Sequence, residues 1–221
     1  EYLENQIWNY CYLNAGLVIT FNGKKFVSKN GLLDLLQRKT NEDEIRYPII
    51  HIKGEDIEVT LTHNNEYGED IYSFVNGQNT TQGGTHVAAF REALVKTVRE
   101  FYKKDYDTSD IRQSLVAAIA VRVQEPVFES QTKTKLGSQT IFEGGPSMKN
   151  FVGDFMMREL DNYLHKNASV AEALKKRIEQ SERERKELAG IKKLATTRNH
   201  HSYPVDPPSG RQRQTEETRT P

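Results

Sequence analysis

The 221-residue chain has one cysteine, Cys11, and therefore no partner for an internal disulfide. That absence fits a reducing compartment, and Cys11 reads as a small buried hydrophobe. No stretch approaches the roughly 20 apolar residues that a membrane-spanning helix needs, so no membrane is expected among its partners. No secretory leader pattern opens the sequence. It starts inside a helix-like segment, EYLENQIWNYCYL, as a piece of a longer protein would. His51, His63 and His165 are scattered and His200-His201 is isolated, so no metal-ligand spacing arises. No internal repeat is visible.

Net charge is absent too, with 31 Lys+Arg against 31 Asp+Glu, but the balance is uneven. Residues 1–110 carry a net of −5, and residues 166–198 a net of +5. Positive charge thus gathers on one late helix. Two readings are open for it: a solvated face, or a surface turned toward nucleic acid.

What is present is a mixture of helix and strand signals. Leu3, Ile7, Tyr10 and Leu13 recur at helical spacing. Asn22-Gly23 between VITF and KFVS marks a tight hairpin, because both turn positions favour positive φ. Asn30 is placed to cap a short helix, GLLDLLQRK. IIHIKG follows Pro48, and DIEVTLTH alternates with Ile57, Val59 and Leu61 on one face, as in a half-buried strand. IYSFVNG sets Tyr72 and Phe74 opposite Ile71, Ser73 and Val75. The clearest helix follows Gly83-Gly84, with Thr85 as its expected N-cap and Val87, Phe90, Leu94, Val98 and Phe101 as its stripe. LVAAIAVRV, residues 115–123, is nearly unbroken apolar sequence of strand length and predicts a central strand covered on both faces. Pro146 and Ser147 open a helix whose buried side is Met148, Phe151, Val152, Phe155, Leu160 and Leu164. Ser169 and Glu172 have capping-box spacing. The helix they open is expected to reach about Ala189, roughly 30 Å at 1.5 Å per residue, with its second half, SERERKE, leaving the core. From Thr196 onward the sequence has no periodicity and reads as disordered.

One polar loop stands out, FESQTKTKLGS from Phe128 to Ser138. It places Gln131, Lys133 and Lys135 directly after the apolar run. Either these are ordinary solvated loop residues, or an anion sits there whose site belongs largely to another domain.

Three stretches in order carry a resemblance to a known family: NYCYLNAGLVITFNGKKF (9–26), NGQNTTQGGTHVAAFREAL (76–94) and SDIRQSLVAAIAVRVQEPVFESQTKTKL (109–136). Over about residues 2–194 the chain resembles the B subunits of bacterial type IIA topoisomerases, DNA gyrase and topoisomerase IV. QEPVFESQTKTKLGSQ and RIEQSERERKELAGIKKLA are most similar to topoisomerase IV versions of Bacteroidetes type. The resemblance implies that residues 1–28 are the trailing helix and hairpin of an N-terminal GHKL ATPase domain. Residues 29–194 would be the transducer domain, and residues 195–221 a disordered or non-native tail. The implied fold is α+β, a mixed β-sheet packed by helices with a left-handed βαβ crossover, like the second domain of ribosomal protein S-five, followed by a long C-terminal helix.

The same resemblance implies a role. The transducer of an ATP-hydrolysing DNA topoisomerase carries the nucleotide signal of the neighbouring domain toward strand passage, and the fragment alone would be inactive. Gln131 and Lys133 are the residues implied to contact the γ-phosphate of ATP, which is bound mainly by the absent domain. Mg belongs to the parent enzyme and has no ligands here. Implied partners are double-stranded DNA, the N-terminal ATPase domain, a second copy of the subunit and the topoisomerase A subunit, in the bacterial cytoplasm with the nucleoid. Lys175, Lys176, Arg177, Arg183 and Arg185, with Lys186, are candidates to face DNA phosphates. His86 is expected to pack or cap rather than bind, and Asp110 and Arg112 to form a structural pair or to orient the following strand. Ser114 stands where many relatives have glycine. The alternative is a stand-alone nucleic-acid-binding module that uses the basic helix.

Overall fold

The structure is a computed structural model; it describes residues 1–200, with side chains through residue 192. Residues Glu1–Arg183 form one compact unit and a second begins at Glu184. In the first, α1 (Tyr2–Leu13) leads into the hairpin β1 (Val18–Phe21) and β2 (Lys24–Val27). The turn between them has φ of 50° at Asn22 and 74° at Gly23, the positive values that Asn-Gly supplies at little cost. Then follow α2 (Leu32–Lys39), β3 (Ile50–Lys53), β4 (Ile57–His63), β5 (Glu69–Val75), β6 (Gln78–Asn79), α3 (Thr85–Tyr102), α4 (Thr108–Arg112), β7 (Leu115–Val121), α5 (Met148–Lys166) and α6 (Ala168–His200).

The main sheet has the order β3-β4-β7-β5-β6. β4 and β7 are antiparallel, with Val59 opposite Ile119, while β5 runs parallel to β7 with Ser73 opposite Ile119. The sheet is therefore mixed, and a crossover through α3 and α4 joins its two parallel strands. β7 lies at its centre because both its faces are buried. Leu115, Ala117, Ile119 and Val121 enter the larger core with α3, α5 and α6. Val116 and Ala118 enter a smaller one with Tyr12, Leu32, Leu35, Leu36 and Phe74. This two-sided burial is what the unbroken apolar run predicts.

Several local expectations change. β4 is not half-buried: Thr60 and Thr62, on the face away from Val59, are fully buried, and Thr62 Oγ1 donates to the Tyr47 carbonyl at 2.9 Å. Helix α2 covers that face. Asn30 does not cap α2; the N-cap is Gly31, and Asp34 instead gathers the Ser28 hydroxyl and the Lys29 and Asn30 amides. Burial raises the Asp34 carboxyl, but these hydrogen bonds outweigh it and hold it below its ordinary range. Thr85 is the first residue of α3, not its cap, and Gly84 precedes it. Ser169 lies inside the first turn of α6, where Glu172 pairs with Lys176 rather than closing a box. Helix α6 also runs past Ala189 to His200. No proline interrupts it before Pro204, and Lys192 to Ala195 are good helix formers. The rest of the expected tail, residues 201–221, lies outside the described residues.

Candidate functional site

The polar loop is built on the exit of β7. Asn76, itself at φ 49°, clamps that exit with both ends of its amide: Nδ2 donates to the Val123 carbonyl at 2.7 Å, and Oδ1 accepts the Val123 amide at 2.8 Å. The chain then returns on itself as a narrow ribbon. Gln124 donates to Ile141 at 2.8 Å, Gly137 donates to Val127 at 2.8 Å, and Phe128 bridges Leu136. At the neck, the Glu129 amide donates to the Lys135 carbonyl at 3.0 Å, and Lys135 Nζ pairs with the Glu129 carboxylate at 2.9 Å. Lys135 is thus engaged locally.

The tip is a tight turn. Lys133 N–H donates to Ser130 at 3.1 Å, with Lys133 at φ 55°. Ser130, Thr132 and Thr134 join hydroxyls at 2.7 and 3.3 Å along one side. Gln131 and Lys133 are exposed, and neither side chain has a hydrogen bond or ion pair among the described residues. A free ammonium and a free amide thus stand two residues apart on a braced turn, one charged and one neutral donor turned outward. Lysine gives a compact charge and the amide a neutral donor.

The base of the loop is held by the turn before α3. Leu136 bonds Gly83 and Thr85, Gln82 bonds Thr134, and Thr85 Oγ1 donates to the Ser138 carbonyl. Nearby, Glu69 on β5 accepts from Arg91 on α3 at 3.1 Å and from Arg112 on α4. Burial pushes the Glu69 carboxyl up, but the hydrogen bonds from Arg112 and Arg91 win and lower it. Arg112 therefore pairs with Glu69, a partner that neither sequence reading, a structural pair with Asp110 or a role in orienting the following strand, had named. This junction was missed, because Glu69 lies in no motif and reaches both arginines only through the fold. His86 is fully buried, with Nε2 3.2 Å from the Thr80 hydroxyl, and burial lowers it to about 4. It is a neutral packing residue, as expected.

The basic residues of α6 divide. Arg177 is only 5% exposed and its Nη2 donates to Ser114 Oγ at 2.6 Å, so it is turned into the core and cannot face DNA. The reason is positional: Val170, Ala171, Leu174, Ile178 and Ser181 are buried, and Arg177 falls on the same stripe. Lys175 is half-buried, Lys176 pairs with Glu172, and Arg183 and Arg185 are exposed. Ser114 adopts φ 66°, the conformation glycine takes without strain. Among the described residues, no group of three or more His, Cys, Asp or Glu side chains is placed to hold a metal ion, and no helix is long and apolar enough to cross a membrane.

Solved structures share this architecture. The 43K ATPase domain of Thermus thermophilus gyrase B superposes with a TM-score of 0.70 at 22% identity, covering 87% of this chain and 56% of that one. The topoisomerase IV ATP-binding domain of Francisella tularensis superposes at 0.62 and 22%, covering 83% and 53%. The fold is therefore that of type II topoisomerase ATPase regions. A family model described as DNA gyrase B matches residues 22–193, and the chain belongs to that family. It is 38% identical over 198 residues to the B subunit of DNA topoisomerase 4 from Borreliella burgdorferi, covering 90% of this chain and 32% of that protein. It is 32% identical over 204 residues to the B subunit of DNA gyrase from Cytophaga aurantiaca, covering 80% and 41%. The chain thus spans about a third to two fifths of these relatives.

Proposed function

We propose that this chain is the energy-coupling segment of an ATP-dependent type IIA topoisomerase B subunit. Residues 1–28 close a preceding GHKL ATPase domain, and residues 29–194 form the transducer. Gln131 and Lys133 reach across to the γ-phosphate of ATP held by that domain. The observation that carries the reading is the loop tip, exposed and unpartnered at both residues while braced at its base. A solvated surface lysine needs no such bracing.

The chemistry follows from the residues present. When bound, ATP supplies the phosphoryl group and the charge that the loop answers to. The Lys133 ammonium makes a charge-assisted bond, roughly twice as strong as a neutral one, and opposes the charge that grows on the oxygens during transfer. The Gln131 amide orients the same group. Without that anion the tip loses its anchor, and the change reaches the ribbon below. Mg would accompany the nucleotide in the preceding domain.

Partners follow from the family: double-stranded DNA, a second subunit and the topoisomerase A subunit. Lys175, Lys176, Arg183 and Arg185 are the DNA-contacting candidates that remain after Arg177 is removed. The topoisomerase IV assignment is supported by the 38% identity to the Borreliella protein, and its Bacteroidetes character rests on the stretches around Gln124–Gln139 and Arg177–Ala195. The test is Lys133→Ala in the complete subunit. Turnover of ATP drops at least tenfold while the melting curve is unchanged. Wild-type turnover in that variant removes Lys133 from the chemistry, and full ATP hydrolysis by the isolated chain would reassign the site altogether.

A further inference from the structure

The Gly83-Gly84-Thr85 turn takes no part in the phosphate contact, yet it grips the loop at four points. Gln82 N–H donates to the Thr134 carbonyl at 2.9 Å, Leu136 N–H to the Gly83 carbonyl at 3.0 Å and Thr85 N–H to the Leu136 carbonyl at 3.1 Å; the Thr85 hydroxyl donates to the Ser138 carbonyl. The first of these acceptors is the residue next to Lys133. The other bonds of the tip, Lys133 N–H to the Ser130 carbonyl at 3.1 Å and Glu129 N–H to the Lys135 carbonyl at 3.0 Å, close the loop on itself and do not fix it against the rest of the chain. The same holds for the exposed hydroxyl contacts and the Glu129–Lys135 pair, whose side chains are 53% and 42% exposed. Pairs of that kind contribute little. Where the closed tip, and Lys133 with it, stands relative to the fold is therefore inherited from the turn.

Gly84 makes that grip possible. Its φ is 140°, which L side chains rarely adopt, and a Cβ there would stand 2.5 Å from the Leu136 nitrogen and 2.8 Å from its Cα. Both obstacles are backbone and neither can swing away. An alanine must push the Leu136 strand back by about 1 Å to reach ordinary contact, and a displacement of that size costs up to roughly a hundredfold when it misaligns a reacting group.

We propose that Gly84, with Thr85, is the positioning residue for Lys133: it sets where the ammonium stands relative to the nucleotide. The proposal rests on the Lys133 reading above. The turn is also the start of α3, so the loop and that helix shift together.

The experiment is a double-mutant cycle in the complete subunit, reading kcat for ATP and, separately, the affinity for ADP, which has no γ-phosphate. Gly84→Ala is expected to lower kcat about 10- to 100-fold. Thr85→Ala, which removes the hydroxyl bond to the Ser138 carbonyl and adds no bulk, is expected to lower it severalfold. Both leave ADP affinity within about twofold, and both lose their effect in a Lys133→Ala background, because residues acting through one group are not additive. Equal losses in both backgrounds, or wild-type kcat in both variants, overturn the proposal. If Gly84→Ala does not fold, the Thr85→Ala cycle decides alone. Wild-type kcat in Lys133→Ala refutes the underlying reading, and the positioning role falls with it; a loss there with no effect at Gly84 or Thr85 refutes the positioning role only.

Discussion

Ser114 sets two effects against each other, and their sizes decide what its replacement does. The residue is 2% exposed, sits at φ 66°, and accepts from Arg177 Nη2 at 2.6 Å. Its amide donates to Gly68 at 2.7 Å, and its carbonyl accepts from Asn64 at 2.9 Å, so the backbone is tied down in the left-handed region. Ser114→Ala keeps the strain and removes one acceptor of a buried guanidinium. A hydrogen bond to a charged group contributes about 1.5–3 kcal/mol. Ser114→Gly removes the same acceptor but relieves roughly 1 kcal/mol of left-handed strain, partly offset by the freer unfolded chain. The order of stability is therefore wild type, then glycine, then alanine. At about 2–4 °C per kcal/mol for a chain of this size, alanine lowers Tm by about 3–12 °C and glycine by a few degrees less. Thermal and urea melts of the chain measure both. In an Arg177→Met background the alanine penalty should shrink below about 0.5 kcal/mol, since the charge that needs the acceptor is gone. An alanine variant as stable as wild type, or a glycine variant below alanine, refutes the assignment of Arg177 to this contact.

Two further outcomes follow from charges in the fold. Glu69→Gln should cost about 2 kcal/mol at neutral pH, a value already discounted because the side chains of Arg91 and Arg112 are 41% and 33% exposed. The folded carboxyl titrates lower than the unfolded one, so its contribution is present above about pH 4.3 and is lost as pH falls through the folded value; urea melts from pH 7 to 3 should show the wild-type advantage closing, and a constant gap would contradict it. Arg183→Ala with Arg185→Ala should weaken binding of duplex DNA by the complete subunit and flatten its salt dependence by up to about two units of slope, whereas Arg177→Met should leave that slope alone.

Much of the fold was legible because burial writes a period into sequence. The run at 115–123 is apolar at every step because two cores flank β7, and Asn22-Gly23 declared its hairpin through backbone preference alone. Strand order was not legible, since the pairing of β5 with β7 is decided by contacts some 45 residues apart. Helix starts were misread at Asn30, Thr85 and Ser169, where Gly31, Gly84 and the short α5–α6 connection decide the geometry. Arg177 was misread by residue type, although its spacing from Leu174 and Ser181 placed it on the buried stripe. At the site, Gln131 and Lys133 came from the motif, and the structure adds that both are free among the described residues. The brace beneath them was hidden: the Gly-Gly doublet hints at a close approach, but only the fold names Leu136 as what approaches.

The central claim is a distance. In the complete subunit with a non-hydrolysable ATP analogue, a crystal or cryo-EM structure should place Lys133 Nζ about 2.7–3.2 Å from a γ-phosphate oxygen, with the Gln131 amide on the same group. A nucleotide-bound, closed subunit in which that ammonium points to solvent, with the γ-phosphate held wholly by other residues, would contradict it.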